Sequence, residues 1–123
     1  MVNKNVTIIN SGDLIIDDSV YLAHQSTIIC NHKITIGKKT IIGPNVVIVD
    51  GDHNYNQAHQ LENKGDVAPI HIGNYVWIGA NAVILKGVTL GDHCVVGAGA
   101  IVTKSFPEKS MIVGNPAKLL RTL

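Results

Sequence analysis

From Ile72 onward an aliphatic residue recurs every six positions: Ile72, Ile78, Ile84, Leu90, Val96 and Val102. The next position is glycine in four of these six hexads, and the fifth reads Val76, Ala82, Val88, Cys94, Ala100 and Phe106. The frame continues upstream through Ile36, Ile42 and Ile48, with Gly37 and Gly43 second and Thr40 and Val46 fifth. Ile16 and Leu22 precede them. Eight residues separate Ile8 from Ile16 and Ile28 from Ile36, so a two-residue bulge is expected in each. A period of six matches neither the helical repeat of about 3.6 nor the strand repeat of about 2. It fits a short strand, a turn and another short strand, coiled so that first and fifth positions face inward. Three hexads per coil stack like positions about 4.8 Å apart in a parallel β-solenoid. Second-position glycine would relieve the corner backbone. Roughly five to six coils fit the length.

One stretch breaks the period. Residues 50–69 are polar, carry His53 and His59, and have no aliphatic at six-residue intervals. They read as a loop extruded from the coil, and a long loop in a compact domain usually carries function. The hexads also fade after Phe106-Pro107, so residues 107–123 are expected to leave the coil as a short capping tail. The whole chain, 1–123, reads as a single domain.

Composition narrows the reading. Aromatic residues are 4% of the chain against 46% hydrophobic, and Ile and Val alone supply 31 of the 123 residues. A narrow prism of branched aliphatics has no room for many rings, and this excess excludes a helical bundle. The net charge of +1 leaves no electrostatic footprint for nucleic acid. Neither an apolar run long enough to span a membrane nor a signal-peptide pattern opens the chain, so no membrane insertion and a cytoplasmic location are expected. Cys30 and Cys94 do not form a disulfide framework; Cys94, at a fifth position, reads as a small buried hydrophobe.

Several words accompany the hexads: Ile42-Gly-Pro-Asn-Val46, Gly51-Asp-His-Asn54, Ala68-Pro69, Ile72-Gly-Asn-Tyr-Val-Trp-Ile-Gly-Ala80, Gly97-Ala-Gly99, Val102-Thr-Lys104 and Gly114-Asn-Pro-Ala-Lys118. Together they resemble the hexapeptide-repeat acyltransferases, above all the galactoside, maltose and nodulation-type O-acetyltransferases and the short polysaccharide-modifying enzymes related to them. The resemblance covers nearly the whole chain. It implies an all-β, left-handed parallel β-helix that assembles as a homotrimer with active sites at subunit interfaces; the handedness comes from the resemblance alone. It implies acetyl transfer from acetyl-CoA, as donor substrate, to a hydroxyl of a sugar or polysaccharide precursor, without an acyl-enzyme and without a metal.

Residue by residue, the resemblance makes His53 the general base and the backbone N–H of Ala80 the oxyanion donor. Trp77, Asn54 and Asn31 fall on the acceptor side. Ala98 matches the position that holds the pantetheine arm. Thr103, Lys104, Lys118 and Arg121 sit where family members contact the adenine and phosphate end. Lys118 replaces a common arginine, keeping the charge without the bidentate fork. The family's helical N-terminal segment is expected to have no counterpart, and its acceptor-binding asparagine and a nearby acidic residue read Ala23 and Asn31.

Other readings remain. The alternatives are N-acetylation of an amino sugar or nucleotide sugar, and an inactive β-helix scaffold. For His53 the plain alternative is a solvated loop histidine; His24 and His32 read as outward polar positions or acceptor contacts, His71 and His93 as surface positions. A zinc hydratase of the γ-carbonic-anhydrase type shares the prism but needs one histidine pair five residues apart, and the histidine spacings here are 8, 21, 6, 12 and 22. A scaffold or ice-binding solenoid would show regular outward Thr or Ser ladders and no extruded loop.

Overall fold

A computed structural model describes residues 2–53 and 65–123 of the chain. Among them are fifteen short strands and no helix, arranged as about five coils of a left-handed parallel β-helix. The first coil holds β1 (Thr7–Asn10), β2 (Asp13–Ile16) and β3 (Tyr21–Leu22), one strand per face. The second holds β4 (Thr27–Cys30), β5 (Lys33–Ile36) and β6 (Ile41–Ile42); the third holds β7 (Val47–Val49), β8 (Ile70–Ile72) and β9 (Trp77–Ile78). The fourth holds β10 (Val83–Ile84), β11 (Thr89–Leu90) and β12 (Val95–Val96). The last begins with β13 (Ile101–Val102) and ends in β14 (Ser110–Gly114) and β15 (Ala117–Thr122). Stacking gives three sheets: β1-β4-β7-β10-β13 on the first face, β2-β5-β8-β11 on the second, and β3-β6-β9-β12-β14-β15 on the third.

The hexad pattern accounts for the packing. Register aligns Ile8, Ile28, Ile48, Ile84 and Val102 in one column, and all but Ile8, at the open first coil, are fully buried. The fifth positions Val76, Ala82, Val88, Cys94 and Ala100 are buried alongside them. Each buried Ile contributes about 1.5–3 kcal/mol by leaving water. The same column measures the coils. Partners are 20 residues apart in the first two steps, 36 in the third and 18 in the last. Three hexads make the eighteen. The first two coils carry two residues more, as the spacing predicts, and the third carries eighteen more. All these additions fall at one corner, between the first and second faces.

Two details differ from the sequence reading. Second-position glycines do not hold the left-handed backbone. That conformation falls two residues later, at Tyr75, Asn81 and His93 (φ 57°, 63° and 61°) and at Gly87 and Gly99. Second-position glycine is required by close approach instead: a Cβ on Gly91 would lie 2.4 Å from the backbone nitrogen of Glu108 in the coil above. The strained Tyr75 and His93 are supported by each other, with rings stacked at 5.1 Å and an interplanar angle of 4°. The segment expected to leave the coil as a tail first completes the third face. Ile112 of β14 pairs in parallel with Val96 and is fully buried; only β15 turns back, antiparallel, along β14.

The faces differ outside. The third presents Tyr21, Ile41, Trp77, Val95 and Met111 in one outward column, and the first presents Thr7, Thr27, Val47, Val83 and Ile101. The second presents Ile15, Thr35, His71 and Thr89. From the third coil upward two sides are therefore apolar and one is polar.

Candidate active site

The extruded segment leaves the prism through a paired neck. Gly51 bridges Val67 in antiparallel fashion, and the Asp52 N–H donates to the Asp66 carbonyl at 3.0 Å. Gly65, at φ 62°, has no alternative here, since a Cβ on it would lie 1.5 Å from the Asp52 carbonyl oxygen. Lys86, from the coil above, sits 3.2 Å from Asp52 Oδ2 and 3.9 Å from Asp66 Oδ2. From below, the neck is fixed by Asp50, whose fully buried carboxylate accepts the backbone N–H groups of Asn31, His32 and Lys33 at 2.7, 2.8 and 2.8 Å. Asn31 Nδ2 donates to the same carboxylate at 3.3 Å.

This neck sets His53 on the rim of a cavity of about 810 Å³, within the range of small-molecule sites. Ile29, Val49 and Val67 give it an apolar floor; Ser11, Asn31 and Asp52 give it polar edges. On the other side of the neck a smaller cavity, about 240 Å³, is bounded by Asp52, Leu85, Lys86 and Thr103. Cys30 lies fully buried beneath; burial, and then the Asp50 charge, push its thiol up from the ordinary value. Burial likewise pushes up Cys94.

The residues proposed from the sequence fall into three groups. His53 and Asn31 share the large cavity, and Thr103 and Lys104 follow β13 at the same corner. Trp77 stands outward on the third face, 55% exposed, and Lys118 and Arg121 lie on β15 of that face, opposite Val113 and Met111. Ala80 and Ala98 stack at the corner between the third and first faces, where the Gly99 N–H donates to the Ala80 carbonyl at 2.9 Å. One prism thus keeps Ala80 and Ala98 at a different corner from His53. Asn54, Tyr55 and His59 lie outside the described residues. Among the described residues no group of three or more His, Cys, Asp or Glu is placed to hold a metal ion, and no helix is long and apolar enough to cross a membrane.

Sequence reasoning missed Asp50 and Lys86. Asp50 had a signal. With coils of twenty residues it stands directly above Cys30, so a carboxylate occupies an inward column and must find donors. Lys86 had none, being one lysine at a corner.

Comparison with known proteins places this geometry in context. Residues 69–104 match the family profile described as bacterial transferase hexapeptide (six repeats). The galactoside O-acetyltransferase of Escherichia coli K12 is 40% identical over 105 residues, covering 84% of this chain and 51% of that protein. A galactoside acetyltransferase solved in complex with coenzyme A superposes with a TM-score of 0.74 at 30% identity, over 94% of this chain and 64% of that one. A polysialic acid O-acetyltransferase gives a TM-score of 0.78 at 28% identity, over 96% and 61%. The chain spans about half the length of the curated relatives it matches.

Proposed function

The chain belongs to the hexapeptide-repeat acyltransferases, and on that premise we propose that it transfers an acetyl group from acetyl-CoA to a hydroxyl of a sugar or polysaccharide precursor. The observation that carries this reading is the paired neck, which sets His53 on the rim of a cavity of about 810 Å³. A sugar hydroxyl is a poor nucleophile near neutral pH, and imidazole is the side chain whose ordinary pKa lies there. His53 takes the hydroxyl proton as the hydroxyl oxygen bonds to the thioester carbonyl carbon. The carbonyl oxygen gathers negative charge, which the Ala80 N–H stabilises. The C–S bond then breaks and the proton passes to the departing thiolate, giving an ester and free coenzyme A. Asn31, Asn54 and Trp77 contact the acceptor. Ala98 holds the pantetheine arm, and Thr103, Lys104, Lys118 and Arg121 take the phosphate and adenine end.

His53 and Ala80 occupy different corners of one prism, so this chemistry requires a second copy. A homotrimer in which the loop of one chain meets the Ala80–Ala98 corner of the next completes the site and covers the apolar first and third faces. Co-expressing His53→Ala and Ala98→Trp chains tests both parts. The first alone should lose about 10²-fold or more in kcat, the scale of a lost general base; the second blocks the donor groove. Random mixed trimers should regain about one quarter of the wild-type thiol release, since one interface in four joins an intact His53 to an intact groove. Mixed trimers that recover nothing would remove the intersubunit site. A wild-type rate for His53→Ala would remove His53 as base.

A further inference from the structure

We infer that Asp50 is a positioning residue for the acceptor: through its buried carboxylate it fixes the Asn31 carboxamide with the carbonyl oxygen toward the cavity, and it anchors the stem that carries His53. The inference rests on the acetyltransferase reading above.

The contrast between two successive coils motivates it. In the first coil the turn at this corner is capped locally: the Gly12 N–H donates to Asn10 Oδ1 at 3.0 Å, at the surface. In the second coil the position matching Asn10 is Cys30, which points into the core and offers no oxygen. The cap comes instead from the coil above, as a fully buried carboxylate. Three backbone N–H groups at 2.7–2.8 Å are short, charge-assisted contacts. They lock the turn bearing Asn31 to the chain three residues before His53. The two cavity residues are therefore tied through one side chain.

The fourth contact sets chemistry. A carboxamide carries donors on nitrogen and acceptor sites on oxygen, and its partners decide which end points where. Asp50 Oδ1, already accepting the Asn31 N–H, takes Nδ2 at 3.3 Å. The end left for the cavity is Asn31 Oδ1, an acceptor. The site thus selects a molecule with an O–H or N–H donor beside the reacting hydroxyl, as vicinal sugar hydroxyls supply.

Thiol release from acetyl-CoA, with methyl galactoside, maltose or glucosamine as acceptor, tests this. Asn31→Ala keeps all three backbone bonds to Asp50, so it should fold normally. It should raise the acceptor KM about tenfold, the scale of one lost hydrogen bond to a ligand, and leave the acetyl-CoA KM unchanged. Asp50→Asn places an NH₂ against N–H donors and frees the Asn31 amide to turn. It should lower kcat and raise the acceptor KM, and the double variant should have the acceptor KM of Asp50→Asn alone. A purely structural Asp50 would lower kcat in proportion to lost folded protein, with both KM values at wild type; that result overturns the inference. So does an unchanged acceptor KM in Asn31→Ala, which decides the matter if Asp50→Asn does not fold. A wild-type protein that releases no thiol with any of the three acceptors overturns the acetyltransferase reading and this inference with it.

Discussion

Glycine serves two unlike purposes in this solenoid, and two substitutions to alanine separate them. Gly91 occupies a second position; a Cβ there would lie 2.4 Å from the nitrogen and 2.8 Å from the Cα of Glu108, and 3.0 Å from the carbonyl carbon of Pro107. All three atoms are backbone, so no side chain can turn aside. Relief to an ordinary contact of 3.4 Å needs a displacement of about 1 Å between adjacent coils. Those coils are joined there by the Gly91 N–H to the Phe106 carbonyl at 3.1 Å and the Lys109 N–H to the Asp92 carbonyl at 2.9 Å. Overpacking costs about 1–3 kcal/mol, and a weakened backbone hydrogen bond adds about 0.5–1.5 kcal/mol. The less flexible unfolded chain returns about 0.4–1 kcal/mol, as it does for any Gly→Ala change, so Gly91→Ala should lose about 1–4 kcal/mol. Gly99, at φ 73° with nothing within 4 Å of its Cβ position, faces only the left-handed strain. For alanine that is about 1–2 kcal/mol, partly offset by about 0.4–1 kcal/mol from a less flexible unfolded chain. Gly99→Ala should lose about 0–1.6 kcal/mol. Urea unfolding at one fixed protomer concentration measures both, since the proposed assembly would couple to stability. A Gly91→Ala protein as stable as Gly99→Ala would refute close approach as the reason for second-position glycine.

Two further expectations concern charge. Both thiols are pushed above their ordinary value of 9.0 by burial, so the folded state keeps its protons where the unfolded state has lost them. Stability from this source is fully present below about pH 9 and is lost as pH climbs through the raised values; the alkaline decline in the urea midpoint should shrink in the Cys30→Ala, Cys94→Ala double variant, and an identical decline would exclude the thiols as its cause. Lys86→Ala removes the contacts to Asp52, about half exposed, and to Asp66, mostly exposed; the loss should be under about 1 kcal/mol and vanish near 1 M salt, whereas a larger, salt-independent loss would mean that Lys86 supports the neck by packing.

Much of the fold was legible because its period is chemical. Inward positions every six residues must be aliphatic or small, and Ile28, Ile48 and Ile84 stack as that rule requires. Strand β14 was hidden because its alternation of buried Ser110 and Ile112 has a period of two and lasts five residues. The site was only partly legible. His53 stands out as a histidine in a segment without hexads, and Trp77 as the single Trp. Their relation to Ala80 and Ala98 depends on which corner each residue reaches, and a list of hexads does not count corners. Asp50 was read as a loop residue because it begins the polar stretch; only the alignment of twenty-residue coils turns it inward above Cys30.

The departures from the six-residue period are themselves the architecture of the candidate site. A strict coil of eighteen residues leaves no ledge at any corner, as the fourth coil shows where Leu85-Lys86-Gly87-Val88 passes directly from β10 to β11. The first and second coils each add two residues at the corner between the first and second faces, and the third adds eighteen at the same corner. The additions in the lower coils bring Ser11 and Asn31 to the cavity edge, and the addition in the third brings His53. Removing two residues from the second coil would leave the aliphatic column intact while deleting the turn that Asp50 holds and the carboxamide it orients. Stability asks each coil to repeat; a binding site asks neighbouring coils to differ. The cavity lies where three consecutive coils break the repeat at one corner, so under the proposed function these insertions are where acceptor selectivity would be set.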